Sequence, residues 1–162
     1  MPSVTPVSVV AKRDKHEFYE RFVGVARRLR SVAAQAYATF EVGSAQAKFL
    51  RHIGQHSRLS QADLARATDT APTLTGRALE PLIERGWVRR KRSEEDRRQY
   101  VLELTASGQR ARERVEKVRA EISDRLANVL DDRDVEDFDR IATKILQALQ
   151  IEAEAGPALP RG

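Results

Sequence analysis

Apolar residues recur along most of this chain at alternating three- and four-residue intervals, the pattern of helices that bury one stripe. Phe18, Phe22, Val25, Leu29, Val32 and Ala36 form such a stripe, with Arg21, Arg27, Arg28 and Arg30 mostly off it, and predict one long helix from Asp14 to about Phe40. A second helix is expected after Gly43, with Ser44 as its N-cap and Ala47, Leu50 and Ile53 turned inward. Ser60 caps a short helix over 61–66, and Asp63 stands where a capping box places its acid. After a turn at Thr68-Asp69-Thr70, Pro72 suits the first position of a further helix that runs to Arg85 and stops at Gly86. Leu74, Ala78, Leu79, Leu82 and Ile83 are its expected inward face.

The period then changes. Residues 87–92 and 99–104 read as strands, the second with Tyr100, Leu102 and Leu104 on one face, and the polar tip Ser93 to Arg98 joins them into a hairpin. Thr105 caps a long helix carrying Ala111, Val115, Val118, Ile122, Leu126 and Val129. The acidic stretch 131–134 breaks it, and a final helix presents Val135, Phe138, Ile141, Ile145, Leu146 and Leu149. The fold class is therefore mainly α with a small β-hairpin. Neither terminal helix can bury a full stripe against so small a central unit, so both are expected to associate with a partner. The expected divisions are a flexible arm (1–11), an N-terminal dimerisation helix (12–43), a central domain (44–104), C-terminal dimerisation helices (105–152) and a flexible tail (153–162).

Composition narrows the class. With 162 residues, 33% charged and 41% hydrophobic, the chain suits one soluble globular domain, and no apolar run is long enough to span a bilayer. The apolar run Val7 to Ala11 is too short for a signal-peptide core, and a cytoplasmic location is expected. The absence of cysteine excludes disulfides, thiolate catalysis and cysteine-ligated metals. The net charge of +5 is unevenly spread: residues 85–98 hold seven basic side chains against three acidic ones, the densest positive charge in the chain.

Two short helices joined by a tight turn and followed at once by a basic hairpin are the plan of a winged helix-turn-helix, whose second helix can enter a DNA major groove. Leu59-Ser60-Gln61-Ala62-Asp63-Leu64-Ala65, then Leu82-Ile83-Glu84-Arg85-Gly86-Trp87-Val88-Arg89-Arg90, then Glu95-Asp96-Arg97-Arg98 and Leu102-Glu103-Leu104-Thr105-Ala106-Ser107-Gly108 resemble the MarR family of winged helix-turn-helix transcriptional regulators over about residues 45–110. The resemblance implies a homodimer whose terminal helices interlock as its base, and a small phenolic or anionic effector that lowers DNA affinity. It further implies that Arg97 reaches into a minor groove while Arg98 and Asp96 pair and brace the hairpin. Thr73, Thr75 and Arg77, near the start of the second helix, are candidate contacts to double-stranded DNA, as are the wing residues Arg92, Arg97 and Arg98. Gly76 and Pro81 depart from the family pattern, the first costing about 1 kcal/mol of helix propensity against Ala and the second predicting a kink near Arg77.

Weaker signals complete the reading. His52 and His56, one helical turn apart, could present two metal ligands, but no third is identifiable and no metal or cofactor is assigned. Tyr37, Phe40, Phe49 and Trp87 could line an effector cavity or simply belong to the core, and Tyr37, Phe40 and Trp87 are the candidate ligand contacts. No hydrolase elbow, phosphate loop, dinucleotide fingerprint or zinc-protease motif is present, so an enzyme is the least favoured class. The expected function is sequence-specific binding of a pseudo-palindromic operator by a homodimer acting as a repressor. The alternatives are a winged-helix protein-interaction module and a non-specific nucleoid-type binder.

Overall fold

In a computed structural model, which describes residues 15–155, the stripes resolve into six helices and one hairpin: α1 (Lys15–Ala38), α2 (Ser44–Gln55), α3 (Gln61–Ala67), α4 (Pro72–Glu84), β1 (Val88–Arg92), β2 (Tyr100–Leu104), α5 (Ala106–Ala127) and α6 (Asp132–Ala155). The arm expected over 1–11 lies outside the described residues, and α6 remains helical to Ala155, past the point where the tail was expected to begin. Among the described residues no helix is long and apolar enough to cross a membrane. The chain divides after Arg119 into two compact units.

The core of the first unit gathers Phe49 and Leu50 of α2, Leu64 of α3, Leu79 and Leu82 of α4, Val88 and Leu102 of the hairpin and Val115 of α5. Phe49 and Leu50, adjacent on α2, are both fully buried because α2 is packed by α1, α3, α4 and β2 together. The caps largely follow the side-chain chemistry. Ser60 and Asp63 form the expected reciprocal box, the Asp63 amide donating to Ser60 Oγ at 3.1 Å and the Ser60 amide to Asp63 Oδ2 at 3.0 Å. At α2 the cap is Gly43 rather than Ser44, because the Gly43 amide donates to Gln46 Oε1 at 2.9 Å and Ser44 is already helical. Gly86, at φ +68°, ends α4 in a left-handed turn: its amide donates to Ile83 O and that of Trp87 to Leu82 O, each at 2.9 Å.

The two strands pair antiparallel in the register Val88↔Leu104, Arg90↔Leu102 and Arg92↔Tyr100. Leu59 extends this ribbon by one bridge, its carbonyl accepting from the Leu102 amide at 2.8 Å. The hairpin is knotted to α5 at its root. Thr105 Oγ1 donates to Gly86 O at 2.6 Å and accepts from the Gly108 amide at 3.1 Å, so one hydroxyl caps α5 and ties it to the turn before β1. Gly108 is there because a Cβ would lie 1.9 Å from Trp87 O, a backbone atom that cannot rotate away.

In the second unit Asp131 and Asp134 cap α6 reciprocally, the Asp131 amide donating to Asp134 Oδ2 at 3.1 Å and the Asp134 amide to Asp131 Oδ1 at 2.8 Å. Val135, Phe138, Ile141, Leu146 and Leu149 remain exposed along α6. Phe18, Tyr19, Phe22, Val25 and Leu29 do the same on α1, with Phe18 and Phe22 stacked at 6.3 Å. The stripes anticipated on α1 and α6 are thus present and largely uncovered, whereas Ala111 and Val115 of the α5 stripe are buried in the core.

Gly108→Ala is expected to cost about 3 kcal/mol of stability, since overpacking against main chain has no rotamer escape. Urea denaturation measures it, and a midpoint equal to wild type would contradict the close approach at Trp87.

Candidate nucleic-acid interface

The turn between α3 and α4 is held by side chains that answer their own backbone. Thr68, buried, donates from Oγ1 to Leu64 O at 2.7 Å, while Lys48 Nζ donates to Thr68 O at 2.9 Å. Thr75 is 0% exposed. Its hydroxyl donates to Ala71 O at 3.1 Å and is 3.4 Å from Thr70 O. This corrects the expectation that Thr75 faces outward as a DNA contact: Thr75, Leu79 and Leu82 lie at i, i+4 and i+7 and form the buried row. Leu74 is corrected with it. Expected inward, it stands 56% exposed on the first turn of α4. Thr73 and Arg77 are exposed as expected. A threonine that returns its proton to an upstream carbonyl is buried at little cost, and that possibility was the available signal.

Neither Gly76 nor Pro81 interrupts α4, which is helical throughout Pro72–Glu84. Pro81 denies the Arg77 carbonyl its usual amide partner. A methyl at Gly76 would meet only Gln61 Nε2, at 3.5 Å, an ordinary contact.

On the wing, β1 exposes Arg89, Arg90, Lys91 and Arg92 in succession. Three of these cations are already neutralised: Arg89 by its cross-strand neighbour Glu103 at 2.6 Å, Arg90 by Glu80 of α4 at 3.3 Å, and Lys91 by Glu94 at 3.2 Å. Arg85 donates to Glu41 O at 2.7 Å and lies 5.0 Å from the centre of the Trp87 ring. Among the described residues, Arg77, Arg92, Arg97 and Arg98 form no ion pair and are exposed. Arg92 lies over the ring of Tyr100, its register partner, at 5.7 Å.

The tip is braced differently from expectation. Asp96 does not pair with the Arg98 guanidinium; its Oδ1 accepts the Arg98 backbone amide at 3.0 Å. Ser93 Oγ accepts the amides of Glu95 and Asp96, each at 3.3 Å, and Arg58 pairs with Glu95 to moor the tip to the loop before α3. A short Asx turn satisfies the carboxylate within the backbone and leaves the guanidinium free.

Tyr37 is buried in the core, in edge contact with Phe40 at 6.2 Å, and Phe40 and Trp87 pack against that core. Arg114 covers the Phe40 ring at 4.6 Å. A cavity of about 550 Å³ lies instead behind the wing, lined by His56, Arg58, Glu95, Val101, Leu102 and Gln109 among others, and none of the three aromatic residues borders it. His52 and His56 stack at 5.9 Å, and among the described residues no group of three or more His, Asp or Glu side chains gathers as a metal set would. Burial, then the neighbouring His56, Arg51 and Lys48, hold the His52 imidazole below its ordinary value of 6.5.

The family model described as MarR matches residues 43–100, from the α2 cap to the first residue of β2. An HTH-type transcriptional regulator, BilQ, of Clostridium symbiosum is 29% identical over 86 residues, which are 53% of this chain and 60% of BilQ. The match thus spans about three fifths of that curated relative's length. A MarR transcriptional regulator from Methanosarcina mazei Go1 superposes with a TM-score of 0.71 at 24% identity, over 85% of this chain and all of that one. Staphylococcus aureus MepR, solved as a DNA complex, gives 0.74 at 22% identity over 84% of this chain and 99% of its own.

Two outcomes test the local readings. Thr75→Val, which keeps volume and removes the hydroxyl, is expected to lower stability by about 1 kcal/mol, whereas Thr73→Ala stays within about 0.5 kcal/mol of wild type; equal effects in chemical denaturation would reverse the assignment of faces. Because the folded state favours neutral His52, its contribution is complete above 6.5 and is lost as pH falls through and below that value. Thermal melts between about pH 7.5 and 5.5 should therefore shift less for His52→Gln than for wild type.

A turn-linked helix pair, a wing rooted in a Thr-Gly knot and a matched segment running from the first core helix into the wing converge on one conclusion: the chain carries a winged helix-turn-helix whose residues 43–100 match the MarR family model.

Proposed function

We propose that the chain is a transcriptional regulator that binds a specific double-stranded DNA site as a homodimer and acts as a repressor. The observation that carries this reading is a set of four exposed guanidinium groups that form no ion pair among the described residues, one on α4 (Arg77) and three on the wing (Arg92, Arg97, Arg98). An arginine without a counter-carboxylate offers its full charge and donor fork to a phosphate or a guanine edge; one that is already paired must first give up its partner. Arg77 and Thr73 would meet base edges or phosphates of the major groove, and Arg97 on the tip would enter the adjacent minor groove. Asp96 acts by shaping the tip. That the structural neighbour MepR was solved as a DNA complex supports the DNA-binding reading.

The uncovered stripes of α1 and α6 support self-association, since a second copy of the chain brings complementary apolar area to both. Two-fold symmetry would then require a pseudo-palindromic site with half-sites about 34 Å apart. An effector belongs to this reading as a small phenolic or anionic molecule. The cavity behind the wing is a better-supported seat for it than Tyr37, Phe40 and Trp87, because its walls include the wing itself. A ligand there would alter DNA affinity to the extent that it binds the free and DNA-bound arrangements unequally.

Electrophoretic or fluorescence titrations on sites selected from a random duplex pool test the proposal. Arg77→Ala and Arg97→Ala are each expected to weaken binding by about 10-fold or more, Arg77→Ala with relaxed base preference, and each lost phosphate contact to flatten the salt slope by about one. A protein-interaction module would select no duplex, and a nucleoid-type binder would hold unrelated duplexes equally well.

A further inference from the structure

Leu74 is an anomaly of placement. Every other large side chain of α4 that lacks polar atoms is turned at least partly into the core, with Leu79 and Leu82 fully buried and Ile83 half-buried. The exposed aliphatic and aromatic groups of α1 and α6 come as stripes, but Leu74 stands alone, between Thr73 and Arg77, on the turn of α4 that the proposed function points toward the groove. Its outward position is fixed, not incidental. Thr75 occupies the buried row with its hydroxyl satisfied at Ala71 O, so α4 cannot turn by one residue to bury Leu74 without drawing Leu79 and Leu82 out of the core and putting the smaller Ala78 and Pro81 in their places.

A leucine has no donor or acceptor, so it can distinguish base pairs in a major groove by one feature only, the C5-methyl group that thymine carries there. We infer that Leu74 reads the methyl group of a thymine in each half-site, beside the position engaged by Arg77. The inference rests on the DNA-binding reading above. Leu74 and Arg77 are three residues apart, about 4.5 Å along the helix axis, against about 3.4 Å per base step. The thymine therefore lies within about two base pairs of the Arg77 position. Removing water from a leucine and a methyl group that meet is favourable and needs no hydrogen-bond geometry, so it complements the directional contact of Arg77.

The test uses the full-length protein and the site it selects from a random duplex pool. Each thymine of one half-site is replaced in turn by deoxyuridine, which deletes the methyl group and leaves the Watson–Crick pair intact. One position is expected to weaken wild-type binding about fourfold, the effect of one buried methyl group, and substituting both half-sites about 15-fold. In Leu74→Ser the same substitution is expected to change affinity by less than about 1.5-fold, with thermal melts confirming that this exposed position leaves the fold intact. Leu74→Val, which keeps a shorter apolar contact, should restore part of the sensitivity. The inference is overturned if no deoxyuridine position weakens wild-type binding, or if Leu74→Ser keeps the full sensitivity. Failure to select any duplex would overturn the DNA-binding reading itself and this inference with it.

Discussion

The rotation of α4 about its own axis decides what this protein can present to a ligand. Each residue turns an α-helix by about 100°, so a shift of one position would carry the buried row more than a quarter turn away from the core. The rotation is set by Thr75, Leu79 and Leu82, which enter the same core as Phe49 and Leu50 of α2. Thr75 makes this possible by a local device: its hydroxyl is satisfied within its own helix start, at Ala71 O, so a polar atom is buried without a long-range partner. Thr73, Leu74 and Arg77 face outward as a consequence, whatever their individual preferences.

The wing obeys an electrostatic constraint of similar economy. Its charge density is misleading if cations are only counted, because β1 sets Arg89 opposite Glu103, and Arg90 and Lys91 find Glu80 and Glu94. Exposed pairs of this kind contribute little to stability. Their effect is to remove three cations from the field near the root and middle of the ribbon and leave Arg92, Arg97 and Arg98 toward its end. The tip that carries two of them is shaped by Ser93 and Asp96 through backbone amides. A carboxylate therefore sits beside the arginines without titrating their charge through a direct pair.

Most of the fold was legible in the sequence, because helix ends and strand alternation are written in local chemistry: Ser60 with Asp63, Pro72, Gly86 and Thr105 each mark a boundary that a backbone amide or a left-handed turn requires. The site was less legible where two readings shared one period. The rows Leu74–Ala78 and Thr75–Leu79–Leu82 both satisfy helical spacing, and hydrophobicity favours the first, since it cannot register that a threonine may be satisfied in place. Side-chain chemistry favours Ser44 over Gly43 as a cap for a related reason, because it does not register the reversal of roles when a glutamine side chain serves the cap amide. The resemblance implies an Asp96–Arg98 pair, and the structure has the Asp96 carboxylate accept the Arg98 backbone amide instead of its guanidinium, a difference that sequence distance does not resolve. The Arg89–Glu103 neutralisation could have been anticipated from hairpin register alone; Arg90–Glu80 depends on how α4 meets the ribbon and could not.

The terminal helices add a thermodynamic condition. Aromatic and aliphatic side chains stay exposed in rows along α1 and α6, and Phe18 and Phe22 stack on each other at 6.3 Å with both still exposed. In the proposed dimer their burial is gained only by association, so folding of these helices and pairing of the recognition elements draw on one equilibrium. Two winged units joined in this way hold the second half-site at high effective concentration once the first is engaged, which multiplies modest contacts into specificity. A single methyl contact or a single guanidinium then counts twice, and discrimination of a site follows from symmetry as much as from the strength of any one interaction.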